Sequence, residues 1–478
     1  MLPSALNPAT SKYAWSLIAR ATLPKRPAVE RVTDFHEIYS NFDEATVRDQ
    51  ASRCLQCPNP LCVQACPLSN RIPEWLALTA QGRFLEAAAI SRSTSNLPEI
   101  CSRVCPQERL CEGACMLNCR SDPVAIGAVE RFINEYAFAH GAVEPVLVEP
   151  NGFRAAIIGS GPAGLACADE LAKRGYRVSV YESLLLPGGL LVNGIPSFKL
   201  EKHIVARRVD YLAKCGVEFK LGVTVGRDVS LEELRRTHDA VFLGHGAQKA
   251  KTAGVPGENL RGVEQALPFL IQKNVASELV DLPPIDVAGK RVVVLGGGDT
   301  AMDCLRSAVR AGAKSAVCLY RRDFANMPGS RKEYYNALEE GAEFQFLTNP
   351  AEILSDGHGG INGVRCVRME LGAPDASGRS KPRPVPGSEF DTPADLALVA
   401  YGFDPVTFPG DSEFAAIKVT EWGGIVVDRN QMTSLAGVFA GGDSSRGPSL
   451  VSHAALDARR AAAAIHRYLA PKLDCAAV

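Results

Sequence analysis

Nine of the chain's fifteen cysteines fall between Cys54 and Cys119, and their spacing constrains that stretch more than anything else in the sequence. The first run is Cys54-x2-Cys57-x4-Cys62-x3-Cys66-Pro67; the second is Cys101-x3-Cys105-x5-Cys111-x3-Cys115-x3-Cys119. Loops this short let several thiolates converge on one small inorganic core. A proline directly after the last cysteine of a run is a ferredoxin feature, and in paired-cluster proteins that last cysteine often serves the other cluster. Structural zinc is the competing reading, but it usually shows two CxxC pairs or Cys/His mixtures. Here there is one CxxC and no histidine in the cysteine segment. The odd cysteine total and the tight spacing argue against a disulfide framework and for a reducing, cytoplasmic setting.

Nothing in the bulk composition competes with this. A net charge of −1 over 478 residues gives no footprint for nucleic acid or an anionic membrane surface. No apolar run is long enough to span a bilayer. The N-terminus lacks the basic start and unbroken apolar core of a secretory signal; residues 1–25 are read as an arm of unknown role. The segments RIPEWLALTAQGRFLEAAAISR and AIGAVERFINEYAFA repeat apolar residues at helical spacing.

Downstream lie two dinucleotide signatures. RAAIIGSGPAGLACADELAKRG gives a strand, then Gly159-x-Gly161-x-x-Gly164, then a helix. The glycines allow a tight turn and let the backbone approach a pyrophosphate seated on the helix N-terminus. The next strand, RVSVYE, ends in Glu182, placed to accept ribose hydroxyls. The second signature, KRVVVLGGGDTAMDCLRSAVRAGA, carries Gly296-x-Gly298-x-x-Ala301, and its following strand ends in Arg321 and Arg322. A carboxylate there would repel a 2′-phosphate, whereas guanidiniums bind one through charge-assisted hydrogen bonds. The second site should therefore prefer NADPH. Against this stands the reading of both arginines as a solvated strand end.

The C-terminal segment GVFAGGDSSRGPSLVSHAALDARRAAAAIHRYL is strand, glycine-rich turn and helix, with Asp443 placed to meet a ribityl chain; an Asp N-cap without ligand is the bland alternative. The helix that follows would favour negative charge at its N-terminus. DAVFLGHGA (239–247) and ADLALVAYGFDP (394–405) read as matched crossing points between the two units. The expected fold is α/β: an N-terminal arm (1–25), a helical domain for two [4Fe-4S] clusters (26–148), a FAD domain in two parts (149–286 and 402–478), and an NADPH domain inserted between them (287–401).

The motifs RCLQCPNPLCVQACPLSNRIPEW, RVCPQERLCEGAC, PGGLLVNGIPSFKLEK, VVVLGGGDTAMDC, YRRD, NMPGSRKEYYNALEEG and FAGGDSSRGPSLV together resemble the small subunit of NADPH-dependent glutamate synthase. The resemblance runs along nearly the whole chain and extends to the N-terminal half of dihydropyrimidine dehydrogenase and the large subunit of NADPH–ferredoxin transhydrogenases. It implies one cluster on Cys54, Cys57, Cys62 and Cys115, and a second on Cys66, Cys105, Cys111 and the non-cysteine ligand Glu130. Cys101 and Cys119 depart from that set. It also implies that Gly188, Gly189 and Leu190, after Pro187, lie along the flavin. Gly442, Ser449 and Leu450 accompany Asp443 there, and Asp299 and Thr300 join the NADPH turn. His245 is read as structural.

The implied activity is that of an NADPH-oxidising flavoprotein. It passes electrons through FAD to the two clusters, as the electron-input subunit of glutamate synthase. No stretch remains for an FMN barrel or a glutaminase, so a large FMN- and glutaminase-containing subunit, or another acceptor protein, should take the electrons. The alternatives are a differently partnered NADPH:acceptor oxidoreductase and, from another class, a redox sensor that turns nothing over.

Overall fold

A computed structural model describes residues 13–374, 380–406, 408 and 412–476; residues 1–12 of the arm lie outside them. The helical N-terminal region opens on Glu44–Ser52, capped by Asp43, whose carboxylate accepts from the Thr46 N–H at 2.7 Å. It continues through Ile72–Ala80, Phe84–Thr94, Pro98–Val104 and Ile126–Ala139. The first predicted helical stretch is broken at Gly82, whose φ of +77° is a backbone state that β-carbon sterics disfavour in other residues. Trp75, Val47, Val129 and Ile133 are wholly buried at the centre of this bundle.

Two parallel sheets follow, each with the strand–turn–helix start of a Rossmann unit. In the first, the strand order is Val438–Ala440, Ala240–Leu243, Arg154–Ile158, Arg177–Glu182, Glu218–Leu221. Its outermost strand is supplied from near the C-terminus. The helix Pro162–Ala172 lies against the long helix Val451–Ala476, and Ala455, Ala458, Ala461 and Ala462 disappear into the shared core. In the second sheet the order is Val263–Gln265, Leu396–Val399, Arg291–Leu295, Ser315–Tyr320, Glu343–Phe346. The segments read as crossing points hold the strands Ala240–Leu243 and Leu396–Val399. Just beyond them, Lys249–Ala250 and Phe403–Asp404 pair antiparallel.

The structure departs from the sequence reading at two places here. Val263–Gln265 pairs with Leu396–Val399, so the second sheet recruits chain upstream of the expected break at residue 287. A three-residue strand is too short to show a period. An antiparallel meander, Thr348–Ser355, Ile361–Pro374, Ser380–Pro384 and Phe390–Pro393, is appended to the second unit. Its prolines and bulges hide the two-residue alternation.

Buried charge joins the regions. Arg31, 1% exposed, reaches Glu340 at 2.8 Å; Glu340 also holds Arg306 at 2.8 Å and Arg310 at 2.6 Å. Burial pushes the Glu340 carboxyl up, but the arginine hydrogen bonds overcome it and hold the group at about 2. Glu99 of the helical region pairs with Arg208 of the first sheet's unit at 2.7 Å, both buried.

Candidate electron-transfer site

Three glycine turns converge at the carboxyl end of the first sheet. Gly159 has φ +94°, and a Cβ there would meet the Gly244 carbonyl oxygen at 2.7 Å. A Cβ on Gly164 would stand 1.9 Å from the Gly159 carbonyl oxygen, so the helix Pro162–Ala172 lies against the turn as no side chain would allow. Gly161, by contrast, faces open space, which is the room a pyrophosphate needs. Gly189 (φ +54°) brings its backbone against Gly161, where a Cβ would be 2.8 Å from the Gly161 Cα. Gly442 (φ +73°) closes on Ala163 from the C-terminal side. These residues fit a dinucleotide whose backbone is clasped by turns rather than side chains.

Glu182 lies at the strand end, 6% exposed. Its Oε2 accepts from the Ser160 N–H at 2.9 Å and hydroxyl at 2.6 Å, and its Oε1 from the Leu184 N–H at 2.9 Å. Ser160 Oγ in turn accepts from the Gly188 N–H at 2.9 Å. The sequence reading missed Ser160; a hydroxyl inside the glycine turn was the available signal. Asp443 opens the short helix Asp443–Arg446 and accepts from the Ser449 N–H at 3.1 Å; burial lifts its carboxyl to about 6. Leu190 begins a short helix beside Gly189, and Leu450 starts the last helix by accepting from His453 and Ala454. Burial also draws His245 down to about 4, and its ring meets that of Phe408 edge-on at 5.9 Å, in keeping with a packing role.

The second turn repeats the geometry. Gly296 (φ +136°) would place a Cβ 2.5 Å from the Ala400 oxygen, while Gly298 faces open space and Ala301 is wholly buried. Asp299 and Thr300 begin the helix Asp299–Arg310, and Asp299 accepts from the Ser330 N–H at 2.9 Å. The two arginines part company. Arg321 is exposed at the strand end, whereas Arg322 is 5% exposed and donates to the Ser380 carbonyl at 2.8 Å. The two guanidiniums are thus held differently: Arg322 also ties the meander to the sheet.

Cys54, Cys57, Cys62 and Cys115 surround one small cavity whose other walls are apolar, Leu76 and Val124 among them. The two sequence runs are therefore interleaved, Cys115 joining three cysteines of the first. Burial pushes the Cys54 thiol up to about 12 and Cys62 to about 11; bound iron would reverse that preference by stabilising thiolate. Cys66, Cys105, Cys111 and Glu130 form a second group, near enough to feel one another's charge. Burial raises Cys66 to about 11 and Glu130 to about 7. Among the described residues no three His, Cys, Asp or Glu side chains close on a point fit for a single metal ion. Thiols spread round a cavity suit a larger inorganic core. Cys101 is buried with its thiol against Cys105, and Cys119 is exposed.

The groups are stacked in order. Cys66 and Cys105 pack against the core of the first sheet's unit, together with buried Leu68, Leu97 and Ile100. Cys54, Cys62 and Cys115 pack on the helical bundle alone, beside exposed Leu55, Leu61 and Met116; Cys66 touches both cores and Cys111 packs on the bundle. The loop between Cys105 and Cys111 touches the nucleotide unit, where Glu108 accepts from the Ser330 hydroxyl at 2.9 Å and Arg109 donates to the Pro328 carbonyl at 2.7 Å. Nothing in the local sequence foretold that contact.

Comparison with known proteins agrees with this layout. The family described as dihydropyrimidine dehydrogenase domain II, 4Fe-4S cluster, matches residues 31–142. The pyridine nucleotide-disulphide oxidoreductase family matches residues 153–458. FprA from Mycobacterium tuberculosis, solved in complex with NADPH, shares the fold with a TM-score of 0.58 at 23% identity, over 69% of this chain and 86% of that one. The small chain of glutamate synthase (NADPH) from Azospirillum brasilense is 48% identical over 458 residues, 94% of this chain and 95% of that one. The Escherichia coli small chain is 46% identical over 466 residues, 96% of this chain and 98% of that one. With clusters of thiols feeding onto paired dinucleotide folds and identity of this order along the whole length, the chain belongs to the family of glutamate synthase (NADPH) small chains.

Proposed function

We propose that this chain oxidises NADPH and exports the electrons singly to a separate, large FMN- and glutaminase-containing subunit in the cytoplasm. FAD and two [4Fe-4S] clusters, when bound, supply hydride acceptance and one-electron carriage. The protein supplies position and electrostatics. Gly296, Gly298, Asp299, Thr300 and Ala301 seat the NADPH pyrophosphate, and Arg321, assisted by Arg322, meets the 2′-phosphate. Gly159, Gly161, Gly164, Glu182, Gly188, Gly189, Leu190, Gly442, Asp443, Ser449 and Leu450 surround the FAD. Cys66, Cys105, Cys111 and Glu130 hold the cluster nearer the flavin unit. Cys54, Cys57, Cys62 and Cys115 hold the one nearer the surface.

The observation that carries this reading is the stacking order of the two groups. One reaches the flavin unit's core through Cys66 and Cys105 and the other opens among exposed Leu55, Leu61 and Met116, which gives electrons an inner entry and an outer exit. Anaerobic stopped-flow mixing of the purified chain with NADPH tests it. Flavin absorbance should bleach first and the broad iron–sulfur absorbance should fall afterwards. A colourless protein, or one whose flavin does not bleach, overturns the proposal.

A further inference from the structure

We propose that Asn70 is a positioning residue that makes Glu130 an oxygen ligand to iron, by occupying one carboxylate oxygen and leaving the other for the metal. This rests on Glu130 being a ligand of the inner cluster. Asn70 lies two positions before the helix Ile72–Ala80, whose N-cap position is taken by Arg71 and which has no side-chain cap. The Asn70 amide, 4% exposed, is turned instead to Glu130, donating from Nδ2 to Oε1 at 2.8 Å.

The amide's orientation is fixed. Trp75 Nε1, wholly buried, donates to Asn70 Oδ1 at 3.1 Å, and an indole N–H can only donate. The oxygen of Asn70 must face Trp75, so the NH2 must face Glu130. Ser91, also wholly buried, donates to the same Oε1 at 3.2 Å while receiving from Asn134 Nδ2 at 3.3 Å. An amide NH2 can only donate, so the single Ser91 proton points at Glu130. Asn134 further donates to the Glu130 backbone carbonyl at 2.9 Å.

Both donors therefore converge on Oε1, and among the described residues no hydrogen bond falls on Oε2. The Asn70 backbone N–H meanwhile faces the Cys66 sulfur. One residue thus touches two of the four groups of the inner set, one with its side chain and one with its backbone. A carboxylate free to turn could bind iron through either oxygen or both. With Oε1 held by two donors, Oε2 is presented alone. Hydrogen bonds of this kind to a metal ligand are typically worth about 10–100-fold in metal affinity. The arrangement would offset the weakness of a hard oxygen among soft thiolates.

The test uses the full chain purified anaerobically. Its readouts are the EPR spectrum of the dithionite-reduced protein, iron per flavin, and the rate of iron loss to a chelator; the thermal midpoint monitors folding. Glu130→Ala sets the reference for a damaged inner cluster. Asn70→Leu should reproduce its altered EPR component and lose iron on the order of 10-fold faster than wild type, with the outer cluster's component retained. Trp75→Phe, which lets the amide flip without removing it, should shift the same component by less. If Glu130→Ala leaves spectrum and iron loss as in wild type, the ligand assignment itself falls. If Glu130→Ala perturbs the inner cluster and Asn70→Leu does not, the positioning role alone falls. Should Asn70→Leu not accumulate, Trp75→Phe decides, an unchanged inner component overturning the proposal.

Discussion

The two dinucleotide turns of this chain are built to one plan and closed in two ways. In both, the first glycine, Gly159 or Gly296, has positive φ and the glycine two positions on, Gly161 or Gly298, faces open space. They diverge at the third position. Gly164 lies so close to the Gly159 carbonyl that a Cβ would stand 1.9 Å away, whereas the second unit places Ala301 at the matching position and buries it without difficulty. They diverge again behind the turn. The helix Pro162–Ala172 is covered by an alanine-rich face of Val451–Ala476. The helix Asp299–Arg310 instead carries Arg306 and Arg310 into the carboxylates of Glu333 and Glu340. The first unit is closed by small residues and close backbone contact, the second by buried charge. A turn that must hold a resident cofactor permanently gains from tight, dry packing. On the proposed function the second unit admits a diffusing nucleotide, and buried ion pairs lie directly behind its turn helix.

The largest effect expected from this difference is at Gly164. Gly164→Ala puts a methyl into backbone that cannot yield, so the helix must move off the turn at a cost of about 1–3 kcal/mol. The purified protein should emerge without yellow flavin absorbance. Ala301→Gly adds a helix-entropy cost of about 0.5–1 kcal/mol and the loss of one buried methyl, about 0.8 kcal/mol, and should leave NADPH-driven flavin reduction near wild type. Equal losses in both would show the units to be closed alike.

Next in size is the charge behind the second helix. The Glu340 carboxyl is held at about 2, below its ordinary 4.5, so its contribution is complete above about pH 4.5 and drains as pH falls towards 2. Glu340→Gln leaves the buried guanidiniums of Arg31, Arg306 and Arg310 short of charge and should cost about 3 kcal/mol at pH 7. The gap between the thermal midpoints of wild type and variant should be widest at neutral pH and narrow below pH 4.5. A gap that holds constant down to pH 3 would remove the ionic account.

The glycine signatures were legible because a phosphate-binding turn is a local object: a few consecutive residues decide it. The cysteine runs pointed to iron–sulfur chemistry, which the family match supports. The placing of Cys115 with Cys54, Cys57 and Cys62 came from resemblance; the four line one cavity. What stayed illegible is non-local. Glu340 meets Arg31 across 309 positions and Asn70 meets Glu130 across 60; no periodicity links such partners. Val263–Gln265 escaped because three residues carry no pattern. Arg321 and Arg322 were legible as a dipeptide, but they lie in the bend just past the strand Ser315–Tyr320, and only the fold says which one is buried.

That last division gives the finest test of how the second unit differs from the first. Where the first unit ends its strand in buried Glu182, the second follows its strand end, Tyr320, with exposed Arg321 and then Arg322, which is 5% exposed and holds the Ser380 carbonyl. Arg321→Ala removes a solvent-reachable guanidinium and nothing that packs. The NADPH KM should rise about tenfold, equivalent to about 1.4 kcal/mol, with the NADH KM and the thermal midpoint unmoved. Arg322→Ala should lower the midpoint, because it releases the meander from the sheet, and should raise the NADPH KM more than the NADH KM but by less than Arg321→Ala does. If Arg321→Ala instead affects both nucleotides equally, the exposed arginine does not read the 2′-phosphate, and the preference for NADPH must be sought on the meander side of the site.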